Sequence, residues 1–397
     1  MTTEISPMDL ELLAFCRSEE AWLRETVEAL VRLESPSDDK TAVDRCGREL
    51  ERRLVAIGAV VDRIAQEACG DHLRARCGGA SEGQAERDKA DRESGRVLLL
   101  GHFDTVWPAG SIDRMPLREA DGRLYGPGIF DMKSGIAVSM LAVRALDALD
   151  RRGRAEVVML WTADEEIGSA SSRALIEEEA RRSRAVLVLE PSLPGGGVKT
   201  SRKGVGEFHM VVRGVSAHAG LDPGKGASAI HELARQVLKI ETLRDPTRGI
   251  TLNVGTILGG TRANVVADRA AARVDVRVQT MADAAAVEAA ILGLRPNDPA
   301  TRLEITGGIN RPPLERSPAV VRLYEQAATV ARALGRELPE GAAGGGSDGN
   351  FTAACGVPTL DGLGPRGDGA HALHEHVVID DLAWRAAFLA SLIASLV

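Results

Sequence analysis

The sequence predicts an α/β fold: a mostly parallel central sheet covered by helices, interrupted by an inserted α+β domain. Three observations carry that prediction. Short apolar runs at Val97-Leu98-Leu99-Leu100, Val157-Val158-Met159-Leu160-Trp161 and Ala185-Val186-Leu187-Val188-Leu189 are continuous rather than alternating, as strands buried on both faces require. Helical patterns at 134–149 and 169–182 separate them, and this strand–helix alternation implies right-handed crossovers between parallel neighbours. Beyond residue 201 the order changes to strand, helix, strand, strand, helix, strand, the βαββαβ unit of a ferredoxin-like domain.

In chain order, 20–33 and 41–57 carry apolar residues at helical spacing and 59–61 turns extended. The charge-alternating segment 78–95 has almost nothing to bury and reads as a solvated loop. The buried runs and their helices follow. The inserted unit places strands at 206–212, 251–258, 271–278 and 302–306 and helices at 227–243 and 283–294. Helices at 318–334 and 379–396, with a short apolar run at 358–360 between them, return to the first domain. The expected division is one domain built from 1–200 and 312–397, split by a second at 201–311.

Composition excludes several function classes. Lys plus Arg number 49 against 57 Asp plus Glu, a net charge of −8, so no basic surplus exists to meet a nucleic acid. Only 12 aromatic residues leave few platforms on which bases could stack. No run approaches the roughly 18 to 20 apolar residues that span a bilayer, and residues 1–7 lack the basic and apolar segments of an export signal. A cytoplasmic protein without a membrane partner is expected. Cys16, Cys46, Cys69, Cys77 and Cys355 are odd in number and scattered, which fits reduced thiols.

The chemistry lies at the strand ends. The three buried runs lead into Gly101-His102-Phe103-Asp104, Thr162-Ala163-Asp164-Glu165-Glu166 and Glu190-Pro191, and ligands bind outside the carboxyl ends of parallel strands. A fourth acid, Asp131, follows the glycine turn Gly126-Pro127-Gly128 just before a helix. Imidazole with several carboxylates suits Zn²⁺ or a similar divalent ion, and no cysteine pair has the spacing of a closed structural zinc site. Without cations, like charges in one dry crevice would have to take up protons. Asp104 is a natural acceptor for the second N–H of a ligating His102. Adjacent Glu165 and Glu166 cannot both point the same way on an extended segment, so one is expected as ligand and the other as the base for a metal-bound water. The stretch Gly344-Gly345-Gly346-Ser347-Asp348-Gly349 lacks the ending of a phosphate loop and carries an acid, which removes the nucleotide-binding reading.

Together, Gly101-His102-Phe103-Asp104-Thr105-Val106, Gly126 to Gly135, Ala163-Asp164-Glu165-Glu166-Ile167-Gly168-Ser169, Gly214 to Gly220 and Gly369-Ala370-His371 resemble the dizinc metallopeptidase family of glutamate carboxypeptidase, aminoacylase, acetylornithine deacetylase and succinyl-diaminopimelate desuccinylase, over nearly the whole chain. The cast of 101–108 and 126–133 is most like glutamate carboxypeptidase. The resemblance implies a zinc-exopeptidase-like catalytic domain interrupted by a lid and dimerisation domain. It implies two Zn²⁺ per subunit, replaceable by Co²⁺ or Mn²⁺: His102 and Glu190 on one, Glu166 and His371 on the other, Asp131 bridging, Glu165 as general base and Asp104 orienting His102. It also implies a cis peptide at Asp131–Met132. His218 would reach the site of the partner subunit in a homodimer and stabilise the oxyanion. Asn264 and Arg277 would bind the substrate carboxylate, and Gly345 and Ser347 would line the cleft. Alignment on Glu375 selects His371 over His374, with His376 at the cleft rim; His72, His209 and His231 match no motif and read as structural or surface residues.

The implied activity is release of a C-terminal, glutamate-like amino acid from a small N-acyl or peptidyl substrate by a metal-bound hydroxide. An N-acyl-amino-acid deacylase of the acetylornithine or desuccinylase kind is the alternative. A metal-dependent binding protein on the same scaffold is the non-enzymatic one, and Glu165 argues against it.

Overall fold

A computed structural model describes residues 7–78, 95–153 and 156–397. Residues 79–94 of the polar segment lie outside the described residues. The chain divides into two compact units: Met1–Thr200 with Arg316–Ala342 and Ser347–Val397, and Ser201–Glu315 with Ala343–Gly346.

The first unit opens with helices α1 (Pro7–Ser18), α2 (Glu20–Arg32) and α3 (Lys40–Ala56), followed by strands β1 (Val60–Ile64), β2 (His72–Cys77) and β3 (Val97–His102). A small hairpin, β4 (Arg118–Ala120) and β5 (Arg123–Tyr125), precedes helix α4 (Ser134–Ala148). Then come β6 (Val157–Thr162), α5 (Arg173–Arg181) and β7 (Ala185–Val188). β3 pairs in parallel with β6 and with β7, whose far side pairs in parallel with Thr359–Leu360. β2 runs antiparallel to β6 and to β1, so the central sheet is mixed at one side.

Its central strands are buried because both faces are covered. Val97 and Leu99, Met159 and Trp161, and Leu187 pack into a core with α4 and the C-terminal helix Ile379–Ser395. The alternate residues Leu98, Leu100, Val158, Leu160, Val186 and Val188 pack into a second core with Ile176 of α5 and Phe351. That is the physical basis of the unbroken apolar runs. β2 has no such run. His72, Leu73, Ala75 and Cys77 are buried, while Arg74 turns outward and pairs with Asp62 and Glu179.

The second unit contains β9 (Gly204–Arg213), a helix at Ala229–Glu241, β10 (Thr251–Gly259), β11 (Arg269–Val278), a helix at Met281–Leu292 and β12 (Arg302–Arg311), where β8 is Val198–Arg202. The sheet order is β10-β11-β9-β12, antiparallel throughout, which is the strand order of a ferredoxin-like βαββαβ unit. Phe208, Met210, Val212, Val274, Val276 and Val278 face Leu233, Ile240, Val287 and Ile291 of its helices. No helix among the described residues is long and apolar enough to cross a membrane.

Candidate metal centre

β3 ends at His102, and the chain then places Asp104 beside it; both are buried. Nδ1 of His102 lies 3.0 Å from the carbonyl oxygen of Asp104 and 3.4 Å from its carboxylate. The nearer contact puts a proton on Nδ1, where the carbonyl accepts it, and turns Nε2 towards carboxylates. Nε2 is 3.2 Å from Asp131 Oδ1 and 3.6 Å from Glu190 Oε1. The Asp104 carboxylate has further duties: Oδ1 accepts from the Glu165 backbone N–H (3.3 Å), and Oδ2 from the Glu166 N–H (3.2 Å) and the Ser37 hydroxyl (2.7 Å).

Asp131 sits in a tight turn, Ile129–Lys133, entered through Gly128 at φ +69°. A Cβ at 128 would meet Thr105 Cγ2 at 2.5 Å, so the turn requires glycine twice over. The Asp131–Met132 peptide is cis. Helix α4 starts at once and lies so close to the end of β7 that a Cβ on Gly135 would fall 2.1 Å from the Leu189 carbonyl oxygen. That close approach brings the turn of Asp131 beside Glu190.

On the other side of Asp131, His371 Nε2 lies 3.3 Å from Asp131 Oδ2 and 3.3 Å from Glu166 Oε1. His371 is held at φ +60°, in the left-handed region that a side chain rarely adopts. The result is two sets, His102–Asp131–Glu190 and Asp131–Glu166–His371, in each of which the donor atoms lie within 4.8 Å of one another. Asp131 belongs to both. Glu165 is adjacent and half-buried.

Burial lowers the basicity of His102, but hydrogen bonding to Asp104, Asp131 and Glu190 outweighs it and raises the ring well above its ordinary value. Hydrogen bonds to Asp131 and Glu166 push His371 up to about 10. Burial pushes Asp131 up, yet its bonds to the two imidazoles hold it well below the usual carboxylate range, while burial leaves Glu166 raised. A proton on each Nε2 meets the carboxylate oxygens, and a divalent ion could stand in its place. Nitrogen and oxygen donors shared through one carboxylate fit a pair of divalent ions.

A family model for peptidases M20/M25/M40 matches residues 98–395. The chain belongs to the M20 peptidase family. This M20 hydrolase is 28% identical over 381 residues to carboxypeptidase G2 of Pseudomonas sp., covering 94% of this chain and 88% of that one. It is 34% identical over 194 residues to acetylornithine deacetylase of Myxococcus xanthus, covering 45% and 49%. Its fold superposes on an aminopeptidase from Bacillus cereus with a TM-score of 0.77 at 21% identity, covering 95% and 98%. The family is metal-dependent, in keeping with the two donor sets.

The other expected residues have the following surroundings, each within its own unit. Ser347 is fully buried: its hydroxyl donates to Asp361 (2.6 Å) and accepts from the Gly349 N–H (3.1 Å), so it braces its own loop rather than lining a cleft. Gly345 is exposed, and its carbonyl accepts from Arg202 (3.1 Å). His376, expected at a rim, is buried with its ring 5.1 Å from that of Tyr125; His374 is exposed. In the second unit, His218 is exposed and its Nδ1 accepts from the N–H groups of Gly220 and Leu221, which leaves the proton on Nε2. Asn264 is exposed, and its carbonyl accepts from the Ala219 N–H. Arg277 is half-buried and paired with Asp275 on its own strand (2.9 Å).

A third set, Cys69, His72 and Asp164, was not foreseen from the sequence. His72 Nδ1 accepts from the Ala163 N–H (3.2 Å), so the proton sits on Nε2, 3.0 Å from the Ser171 hydroxyl. That hydroxyl donates to Asp164 Oδ2 (2.7 Å). No imidazole lone pair remains for an ion; the set is a buried brace behind Glu165 and Glu166.

Proposed function

We propose that this M20 hydrolase is a cytoplasmic carboxypeptidase that releases a C-terminal, glutamate-like amino acid from N-acyl or short peptidyl substrates. The sharing of Asp131 between two donor sets, with Glu165 beside them, is the observation that carries the reading. His102, Asp131 and Glu190 would hold one divalent ion and Asp131, Glu166 and His371 the other, with Zn²⁺ the expected metal and Co²⁺ or Mn²⁺ able to replace it. Such ions polarise a substrate carbonyl and lower the pKa of a water. Glu165 takes the proton of the attacking water and delivers it to the amide nitrogen as the C–N bond breaks. Asp104 fixes the His102 ring and, through the two backbone N–H groups, the direction of Glu165 and Glu166.

The second unit supplies recognition in this reading. With its proton on Nε2, the partner subunit's His218 is a donor suited to developing negative charge on the carbonyl oxygen. Asn264 and Arg277 take the substrate carboxylate, for which Arg277 exchanges its pairing with Asp275. The odd number and scatter of the five cysteines are what supports a reducing compartment. Similarity to carboxypeptidase G2 along nearly the whole chain favours the carboxypeptidase; the higher identity to an acetylornithine deacetylase over half of it favours a deacylase as the second reading. A panel of acyl-glutamates, other N-acyl amino acids and acetylornithine, assayed with Zn²⁺ or Co²⁺, separates them. Turnover of acetylornithine alone would overturn the first reading, and turnover of none would overturn both.

A further inference from the structure

The glycine turn that presents Asp131 has several backbone N–H groups with no partner inside the turn, and buried N–H groups must be satisfied. One distant side chain satisfies three of them. Glu375, 1% exposed, accepts from the Gly128 N–H (2.9 Å) on Oε2 and from the N–H groups of Phe130 (2.8 Å) and Asp131 (3.0 Å) on Oε1. The Trp107 indole N–H completes the set on Oε2 at 2.7 Å. The backbone of residue 375 joins the same turn, its carbonyl accepting from the Gly126 N–H.

Glu375 also ends the loop that carries His371. Within that loop the Ala372 N–H donates to Gly369 O, and the Glu375 N–H donates to Ala372 O. One residue therefore ties the loop of His371 to the turn of Asp131, two members of a single donor set.

We propose that Glu375 is a positioning residue that fixes the direction of the shared ligand Asp131 relative to His371, and thereby sets the divalent-ion affinity of the centre. The proposal rests on the two-ion reading given above. The carboxylate bonds the N–H of Asp131 itself, so moving it rotates the Cα–Cβ bond that aims the ligand. Partners behind a ligand commonly change ion affinity by about 10- to 100-fold. Glutamine keeps the size of the side chain but turns an NH₂ group towards two N–H donors, which forces the turn apart.

The test is Zn²⁺ titration of the purified full-length protein against a chromophoric chelator, without substrate. The wild type and Glu165→Ala are expected to take up two ions with equal affinity. Glu375→Gln is expected to bind at least one ion tenfold or more weakly at an unchanged circular dichroism spectrum, and Glu375→Asp, too short to reach all four donors, is expected not to restore wild-type affinity. A purely structural role would lower the melting temperature of the ion-free protein and leave the affinity of the folded protein alone; that result would overturn the proposal. Should Glu375→Gln not fold, Trp107→Phe removes one of the four donors and leaves the carboxylate. Its expected loss of affinity is about two- to tenfold, and an unchanged affinity overturns the proposal. A wild type that binds no divalent ion overturns the two-ion reading itself and the role of Glu375 with it.

Discussion

At the residue scale, carboxylates around the two donor sets, rather than in them, accept backbone N–H groups. Asp104 takes those of Glu165 and Glu166, Glu375 those of the glycine turn, and Asp164 that of Ser171 (2.8 Å). Glu165 itself is expected to act only in proton transfer. Glu165→Ala should therefore retain both ions by metal analysis and lose about 10²- to 10⁴-fold in kcat; substantial remaining turnover would remove Glu165 from its role. Ser171 offers a different test, because its hydroxyl and N–H are both bonded to Asp164, whose other oxygen, Oδ1, is buried with no hydrogen-bond partner among the described residues. Ser171→Ala should cost about 1–3 kcal/mol in chemical denaturation, and a neutral substitution would refute the brace. Strand ends and a glycine turn singled out His102, Glu166, Glu190 and Asp131 in the sequence, whereas His371 and the division into two sets came only with the family resemblance. The place of Ser347 was not legible, since a serine in a glycine-rich stretch looks the same whether its hydroxyl faces a cleft or, as here, Asp361.

At the scale of elements, unbroken apolar runs identified the strands covered on both faces, while β2 escaped notice. Its residues alternate with arginines, and the pairing of Arg74 with Asp62 and Glu179 and of Arg76 with Asp62 makes such a strand compatible with the sheet. Helix α5 begins at Arg173 rather than 169, and Ser169 itself stands at φ +58°, outside the right-handed helical region. The contact between α4 and the end of β7 carries a prediction of its own. Gly135→Ala places a methyl group within 2.1 Å of the Leu189 carbonyl oxygen, so one element must move away from the other. The expected result is a loss of about 1–3 kcal/mol in stability together with weaker Zn²⁺ binding, since the same contact sets Glu190 beside Asp131. A variant with wild-type melting temperature and wild-type affinity would show that the two are not coupled.

At the scale of the whole molecule, the second unit raises the question of what completes its sheet. β10 is an edge strand of nine residues, and exposed edges with apolar side chains invite pairing with another chain. Near its end Ile257 is 56% and Leu258 76% exposed, and Leu238 on the helix Ala229–Glu241 is 64% exposed. Such surface fits the proposed homodimer, with a second copy of this chain covering it. The double substitution Leu238→Glu with Leu258→Lys introduces charge on that surface without touching either donor set. Sedimentation should then change from dimer to monomer while Zn²⁺ uptake stays at two ions per chain. If the partner subunit's His218 completes the site, kcat should fall with dissociation, and mixing this variant with wild type should not restore it. A monomer that turns over at the wild-type rate would leave the dimer without a catalytic purpose and confine His218 to its own loop.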